Sequence, residues 1–290
     1  MNSHLGNLGL QAIKSLLVEI TLTPKPGLVD PMTNGAHHDM DFFTFLRSIE
    51  ALVPYFKAYY QAGLSHRGSY HELFDKVRKI GQEAEKSMLI ATQGINTHKG
   101  ANFSFAVIIS ATGLYMQTSQ IKRAFTAKDS AQIMKIVQKM TDNLIQKDFK
   151  DLNNKSKLSY GEQLYLDYGI TGIRGQASQG YPLILEQVLP YLRQSISQDF
   201  PTDYILLKCL CLLMAKSEDT NLVHRGGLHA WRKVQKESEQ LFSFSGTCKE
   251  FKEVLLEYDA LLTERYLSPG GSADLLAIAI YLGLLEGIIK

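Results

Sequence analysis

The sequence predicts an all-α protein, and three observations carry that expectation. Apolar residues recur at a helical period over most of the chain. Alternating period-two stretches bounded by hairpin turns are scarce. Clusters of Gly, Pro, Asn and His fall between the periodic segments, where helix ends and loops belong. The expected architecture is one compact multi-helix domain over residues 1–290, with its active site built from the loops between helices.

The clearest helix starts at residue 42. Apolar side chains at 42, 45, 46, 49, 52, 53, 56, 59 and 60 share one face at a 3.6-residue period. Asp41 is placed to cap this helix, with Asp39 and Thr44 as alternatives, and Pro54 is expected to kink or divide it. Further helices are expected over 8–22, 70–91, 130–146, 180–195, 203–216, 228–242, 249–266 and 273–289. The run FAVIIS within 101–116 is β-rich but fits a buried helix in its setting. The last segment, LLAIAIYLGLLEGII, is apolar nearly all round; a central core helix is the preferred reading, with a homodimer seam as the other. Residues 147–161, KDFKDLNNKSKLSYG, read as an exposed polar loop.

Composition narrows the function classes. The 290 residues are 45% hydrophobic and 21% charged with a net charge of +2, so no global field draws the chain to nucleic acid or an anionic membrane. No segment reaches the roughly 18 apolar residues of a spanning helix, and the N-terminus lacks the pattern of a signal peptide. Of the three cysteines, Cys209 and Cys211 sit inside the apolar run YILLKCLCLLMA and read as buried thiols; Cys248 stands apart. A cytoplasmic setting is expected.

Six stretches break the helical pattern. In TPKPGLVD (23–30) two prolines flank Lys25 and Gly27 permits a turn, which suits a lysine and backbone N–H groups held toward an anion. NGAHHDMD (34–41) packs His37, His38, Asp39 and Asp41 together, as a metal or proton-transfer site would; a capped helix start is the alternative. TQGINTHKG (92–100) offers Asn96, Thr97, His98 and Lys99 ahead of an apolar helix whose N-terminus favours anions. It lacks the spacing of a Walker A loop. Glu85 lies upstream beside a core-facing stripe. RGQASQG (174–180) reads as a tight turn that presents Arg174 to phosphate. DTNLVHRGG (219–227) gathers Asp219, Asn221, His224 and Arg225, more polar chemistry than a connector requires. In SPGGSAD (268–274), Ser272 is placed to cap a helix and Gly270 and Gly271 to form an anion nest. Together these residues are the inventory for Mg²⁺ and a polyphosphate.

The order and wording of TPKPGLVD, NGAHHDMD, GINTHKG, DTN…HRGG and SPGGSADLLA resemble the triphosphoribosyl-dephospho-CoA synthases, from about residue 18 to the C-terminus. The resemblance implies a cytoplasmic transferase that takes ATP and 3′-dephospho-CoA to 2′-(5″-triphosphoribosyl)-3′-dephospho-CoA and adenine. The product is the prosthetic-group precursor of the acyl carrier subunit of citrate lyase or malonate decarboxylase, and an acyl-carrier-protein transferase is the implied downstream partner. An α linkage made from a β-nucleotide implies a single inverting displacement with an oxocarbenium-like transition state. On this resemblance Lys25, Lys99, Arg174 and Arg225 are assigned to phosphates, together with Gly27, Asn96, Thr97, Asn221, Gly270 and Gly271. Asp39, Asp41, Glu85 and Asp219 are candidates for Mg²⁺ or base duty. His38, His98 and His224 are proton-transfer or phosphate candidates. One position departs from the family pattern: Gln176 stands where RGE is expected, so this residue is expected to lie outside the essential chemistry or to be replaced by a neighbour. A Mg²⁺-dependent phosphohydrolase or kinase, and a non-catalytic nucleotide- or CoA-binding regulator, are the competing readings.

Overall fold

The structure, a computed structural model, describes residues 8–119, 121, 123–150, 152, 155, 156, 158–198 and 200–290. Among these the chain is helical and contains no strand. The helices in order are α1 (Leu8–Thr21), α2 (Phe42–Leu64), α3 (Tyr70–Ala91), α4 (Lys99–Ser119), α5 (Ala127–Thr141), α6 (Leu144–Asp148), α7 (Tyr160–Tyr168), α8 (Gly172–Ser178), α9 (Leu189–Ser197), α10 (Thr202–Lys216), α11 (Thr220–Phe242), α12 (Cys248–Glu264) and α13 (Gly270–Leu285).

Three helices are apolar almost all round and form the centre. In α4 every residue from Ser104 to Gly113 is buried, in α10 every residue from Tyr204 to Ala215, and in α13 every residue from Leu275 to Gly283. The FAVIIS run is therefore helical. The last helix is a core element, and its apolar circumference is spent inside the protein rather than on a dimer seam. Amphipathic helices cover this centre: α2 and α3 pack on α4, α1 lies between α2 and α13, and α11 packs on α10. The buried apolar residues form one contiguous cluster from Leu8 to Ile289. Cys209 and Cys211 are buried free thiols within it, and burial pushes the Cys211 thiol up to about 12. No helix among the described residues is long and apolar enough to cross a membrane.

Asp41 caps α2 as expected, its Oδ1 accepting the Thr44 N–H at 2.7 Å. Pro54 does not divide that helix, which runs unbroken to Leu64. The expected helix over 130–146 is instead the pair α5 and α6, and that over 180–195 passes through a π-helical turn, Ile184–Val188. Pro190, just beyond that turn, has no N–H to give. Two stretches read as turns are helical. RGQASQG lies largely in α8, and TNLVHRGG forms the first turns of α11 up to a break at Gly227, whose φ is 72°. Within 147–161, Phe149 and Leu152 are buried, so the segment is anchored by apolar contacts; residues 151, 153, 154 and 157 lie outside the described residues.

The α2–α4 contact sets how tightly the site region is built, because two glycines let the backbones touch. A Cβ on Gly63 would fall on the Ser110 carbonyl oxygen, and one on Gly113 on the Tyr60 carbonyl oxygen. Gly63→Ala and Gly113→Ala should each cost about 1–3 kcal/mol, read as a lower urea midpoint with an unchanged slope. Gly161→Ala, where a Cβ would meet nothing, should hold or raise the midpoint. Unmoved midpoints in the first two variants would show that the backbones do not meet there.

Candidate active site

A cavity of about 660 Å³ opens among α1, α3, α4, α11 and α13. Its size suits a small-molecule site. Many of its polar groups come from the interhelix stretches singled out in the sequence, and others, Glu19, Arg78 and Asp148 among them, from helices.

Three N-termini meet at the cavity: those of α4 (Lys99, Gly100), α11 (Thr220, Asn221) and α13 (Gly270, Gly271). Each presents the positive end of a helix dipole, which favours bound anions, although the Lys99 N–H is taken by Asn96 Oδ1 and several N–H groups of α11 and α13 by Asp219. Asp219 ties two of them together. Its Oδ1 accepts from the N–H groups of Asn221 (3.0 Å) and Leu222 (3.2 Å). Its Oδ2 accepts from the N–H (2.8 Å) and hydroxyl (2.9 Å) of Ser272. Asp219 is fully buried and does not line the cavity. Burial pushes its carboxyl up, and the Ser272 and Leu222 donors pull it back. The bare glycines of α13 make room: a Cβ on Gly271 would sit 3.1 Å from the Asp219 carboxylate, and one on Gly270 2.8 Å from the Asn221 amide. Ser272, expected to cap α13, instead donates into this bridge.

The cations arrive already paired. Lys25 Nζ donates to Glu19 Oε1 at 2.5 Å, and both side chains are buried. The loop carrying Lys25 is fixed by Asp30, which accepts from the Lys25 N–H and the Thr23 hydroxyl, and by Asp259, which takes the Gly27 N–H at 2.8 Å. Gly27 therefore has no N–H to offer an anion and lies outside the cavity. Lys99 pairs with Glu85 at 2.6 Å nearer solvent. Arg174 Nε donates to Asp148 at 2.9 Å, and Arg78 binds the same carboxylate with both Nη atoms at 2.7 and 2.9 Å. One carboxylate against two guanidiniums leaves this wall positive. Arg225 has no carboxylate partner among the described residues. Its guanidinium donates to the carbonyls of Ala36 (2.8 Å) and Tyr266 (3.3 Å) and to His37 Nδ1 (3.1 Å).

The histidines divide by burial. His98 is buried, with Nδ1 2.6 Å from Ser48 Oγ, which also accepts the Thr97 hydroxyl at 2.7 Å. Its Nε2 is buried with no partner, and the residue lines the cavity. Burial, with Lys25 nearby, lowers its pKa to about 3, so the ring is neutral. His37 lines the cavity as well: Arg225 donates to its Nδ1, which leaves Nε2–H to donate to Ser268 Oγ at 2.9 Å. Burial and Arg225 lower its pKa to about 4. His224 packs edge-on to Tyr160 at 4.2 Å at the exposed side.

The structure thus brings together Lys25, Glu85, Asn96, Thr97, His98, Lys99, Arg174, Asn221, His224, Arg225, Gly270 and Gly271. It does not bring in His38, Asp39 or Asp41. His38 and Asp39 are exposed, and the cavity takes the neighbouring His37 instead. The Asp41 carboxylate is spent on the α2 cap, and the Thr44 hydrogen bonds hold its pKa below the usual range. Asp219, with four donors and no cavity surface, positions helices and has no lone pair facing a metal. Sequence reasoning missed Glu19, Arg78, Asp148 and Asp274. Glu19 and Arg78 lie inside helical patterns with no local signal, and Asp148 falls in the stretch 147–161 read as an exposed polar loop. Asp274 was legible only as a first-turn acid of the last helix. Gln176, expected outside the essential chemistry, is on the cavity wall with its Oε1 buried and unpartnered. Glu218 accepts from the N–H groups of Thr171 and Gly172, fixing the start of α8 and with it Arg174 and Gln176.

Among the described residues no group of three or more His, Cys, Asp or Glu side chains could hold a metal by itself. A Mg²⁺ here would be held mainly by phosphate oxygens, and Glu85, paired with Lys99 in this structure, is the cavity carboxylate that would join them.

The family model for ATP:dephospho-CoA triphosphoribosyl transferase matches residues 6–290. A Streptococcus mutans protein named "Probable 2-(5''-triphosphoribosyl)-3'-dephosphocoenzyme-A synthase" is 47% identical, over 98% of each chain. A protein of the same name from Streptococcus pyogenes is 44% identical over 96% of each chain. A solved chain from Archaeoglobus fulgidus, provisionally assigned as a triphosphoribosyl-dephospho-CoA synthase, is 19% identical with a TM-score of 0.47, covering 84% of this chain and all of that one. Matched from residue 6 to its end and 47% identical to the S. mutans protein, the chain belongs to the ATP:dephospho-CoA triphosphoribosyl transferase family.

Proposed function

We infer that this chain transfers the 5-triphosphoribosyl group of ATP to the 2′-hydroxyl of 3′-dephospho-CoA and releases adenine. The observation that carries this reading is the meeting of the α4, α11 and α13 N-termini at one cavity that also holds Lys25, Arg174 and Arg225. Such a site binds a polyphosphate through backbone N–H groups and guanidiniums. The triphosphate is a handle here, and the reaction takes place at C1′ of the ribose.

The residues divide the work. Asn221, Gly270, Gly271 and the Arg78–Asp148–Arg174 wall hold phosphate oxygens and keep the triphosphate from moving with the leaving base. Glu19, buried against Lys25, places a carboxylate where positive charge develops on the ribose ring. His98, neutral and fixed through Ser48 and Thr97, presents Nε2 to the deep end as a hydrogen-bonding group for a substrate. The walls of Leu16, Phe45, Val77, Val107 and Leu275 keep that end dry, which protects the activated ribose from hydrolysis. Mg²⁺, when bound, lowers the charge of the triphosphate. The same reading places the chain in the cytoplasm, with its product passed to a transferase that loads the acyl carrier subunit of citrate lyase or malonate decarboxylase.

Incubation with Mg·ATP and 3′-dephospho-CoA should yield free adenine and a triphosphoribosyl adduct in equal amounts, and only with both substrates present. Phosphate or ADP without adenine would move the reading to phosphoryl transfer. Arg78→Ala and Arg174→Ala should weaken Mg·ATP binding by calorimetry about tenfold or more and should reduce its salt dependence; unchanged affinity would take this wall out of the phosphate site. Asp219→Asn, which turns an amide hydrogen toward existing donors, should cost about 1–3 kcal/mol of stability and weaken Mg·ATP binding. Full stability with lost turnover would instead make Asp219 a chemical participant.

A further inference from the structure

Asp274 lies in the first turns of α13 with its side chain in the cavity wall. The carboxyl lies against the start of α4, where a Cβ on Gly100 would fall on its Oδ2, so the bare glycine makes its place. It accepts from the Ala101 N–H, and no cation pairs with it among the described residues. The other ionisable groups around it are acids or neutral. Glu19 of α1 and Asp219 at the head of α11 both add negative potential, and Tyr181 lies close enough to feel its charge. Lys25 is spent on Glu19 and Lys99, next to Gly100, on Glu85, and His98 is neutral. Burial first, then Glu19 and Asp219, push the Asp274 carboxyl well above its usual range. A carboxyl placed this way holds its proton more tightly than one in water. In the same cavity the unpartnered, buried Nε2 of His98 marks a second polar group awaiting a ligand.

We propose that Asp274 is the proton donor to the departing nucleobase. The proposal rests on the transferase reading above and names a group within it. The C1′–N9 bond breaks with its electron pair moving to the base, and the Asp274 O–H gives its proton to a ring nitrogen of that base, so adenine leaves neutral. The 2′-oxygen of dephospho-CoA closes the new bond to C1′. The proton it sheds restores the acid form of Asp274. The net transfer is one proton from the hydroxyl to adenine, with no other reactant.

The test uses two leaving groups. Asp274→Asn keeps the shape and a hydrogen-bond donor but has no acidic proton. With ATP its kcat should fall about 10²–10⁴-fold, the usual worth of a positioned acid, while Mg·ATP affinity by calorimetry stays within about threefold. With N7-methylated ATP, whose base is already cationic, the deficit should shrink to about tenfold or less. An equal deficit on both substrates would mean a structural or base role and overturn the proposal, as would full activity on ATP. The unmodified enzyme gives a second reading that needs no variant. Its rate with ATP should fall at alkaline pH as the acid ionises, and this limb should be missing with the methylated substrate. The same alkaline limb on both would also overturn it. Failure of the unmodified enzyme to release adenine from ATP is a separate result, and it sinks the transferase reading itself.

Discussion

Asp219 is a fully buried carboxylate with no cation paired to it among the described residues, and the site depends on it. What holds its charge is four donors, two at the head of α11 and two from Ser272 near the head of α13. An unpaired buried carboxylate costs several kcal/mol. Here the positive ends of two helices and a hydroxyl take the place of a counterion. The consequence is geometric. One short side chain fixes the relative position of two helix N-termini, and α13 is a central helix of the core. Asn221, Gly270 and Gly271 are therefore set by the packing of the whole protein and not by loop conformation.

The cavity's charges show a second constraint. A site full of free cations would repel itself, and one full of matched pairs would bind little. Here Lys25 and Lys99 are each neutralised by one glutamate, the guanidiniums of Arg78 and Arg174 share one aspartate, and Arg225 is held by carbonyls and a neutral imidazole. The surplus positive charge therefore sits where Asp148 and Arg225 anchor it. The Lys25–Glu19 pair at the deep end stays near neutrality. A polyanion is drawn toward the guanidiniums and helix ends, and a ring acquiring positive charge fits beside Glu19.

The fold class was legible because helical periodicity survives in the covering helices, and because the central ones are apolar enough to have no other place. Boundaries were less so. TNLVHRGG and RGQASQG carry glycines that read as turns, yet most of each stretch is helical and the helix yields only at Gly227 and before Gly180, both at positive φ; tertiary packing outweighs the modest cost of glycine in a helix at the others. The site was legible wherever its residues sit at helix ends, because polar groups there break the apolar pattern. Glu19, Arg78 and Asp148 gave no such signal: each lies within a helix, and only the packing of that helix turns it toward the cavity. His37 and His38 show the same limit at one-residue resolution. Both belong to one motif, and which of them faces inward depends on how the loop is held by Asp30 and Asp259.

The deep end of the cavity also says what kind of ligand the fold is built around. His98 Nε2 and Gln176 Oε1 are buried without partners, and Asp274 carries its carboxyl among acids. The unpartnered His98 and Gln176 atoms are a cost to the folded state, because buried polar groups are almost always satisfied within the chain or by water. Costs of this kind persist where a bound molecule supplies the missing partners. A flat, polar heterocycle offers ring nitrogens and an exocyclic amine at fixed spacing, which are acceptors for an acid and donors for an amide oxygen. The triphosphate end of the cavity has no comparable deficit, since its cations are already bound to something. On the proposed reading, phosphate recognition is an exchange of partners, and the unmet demand falls to the base and ribose.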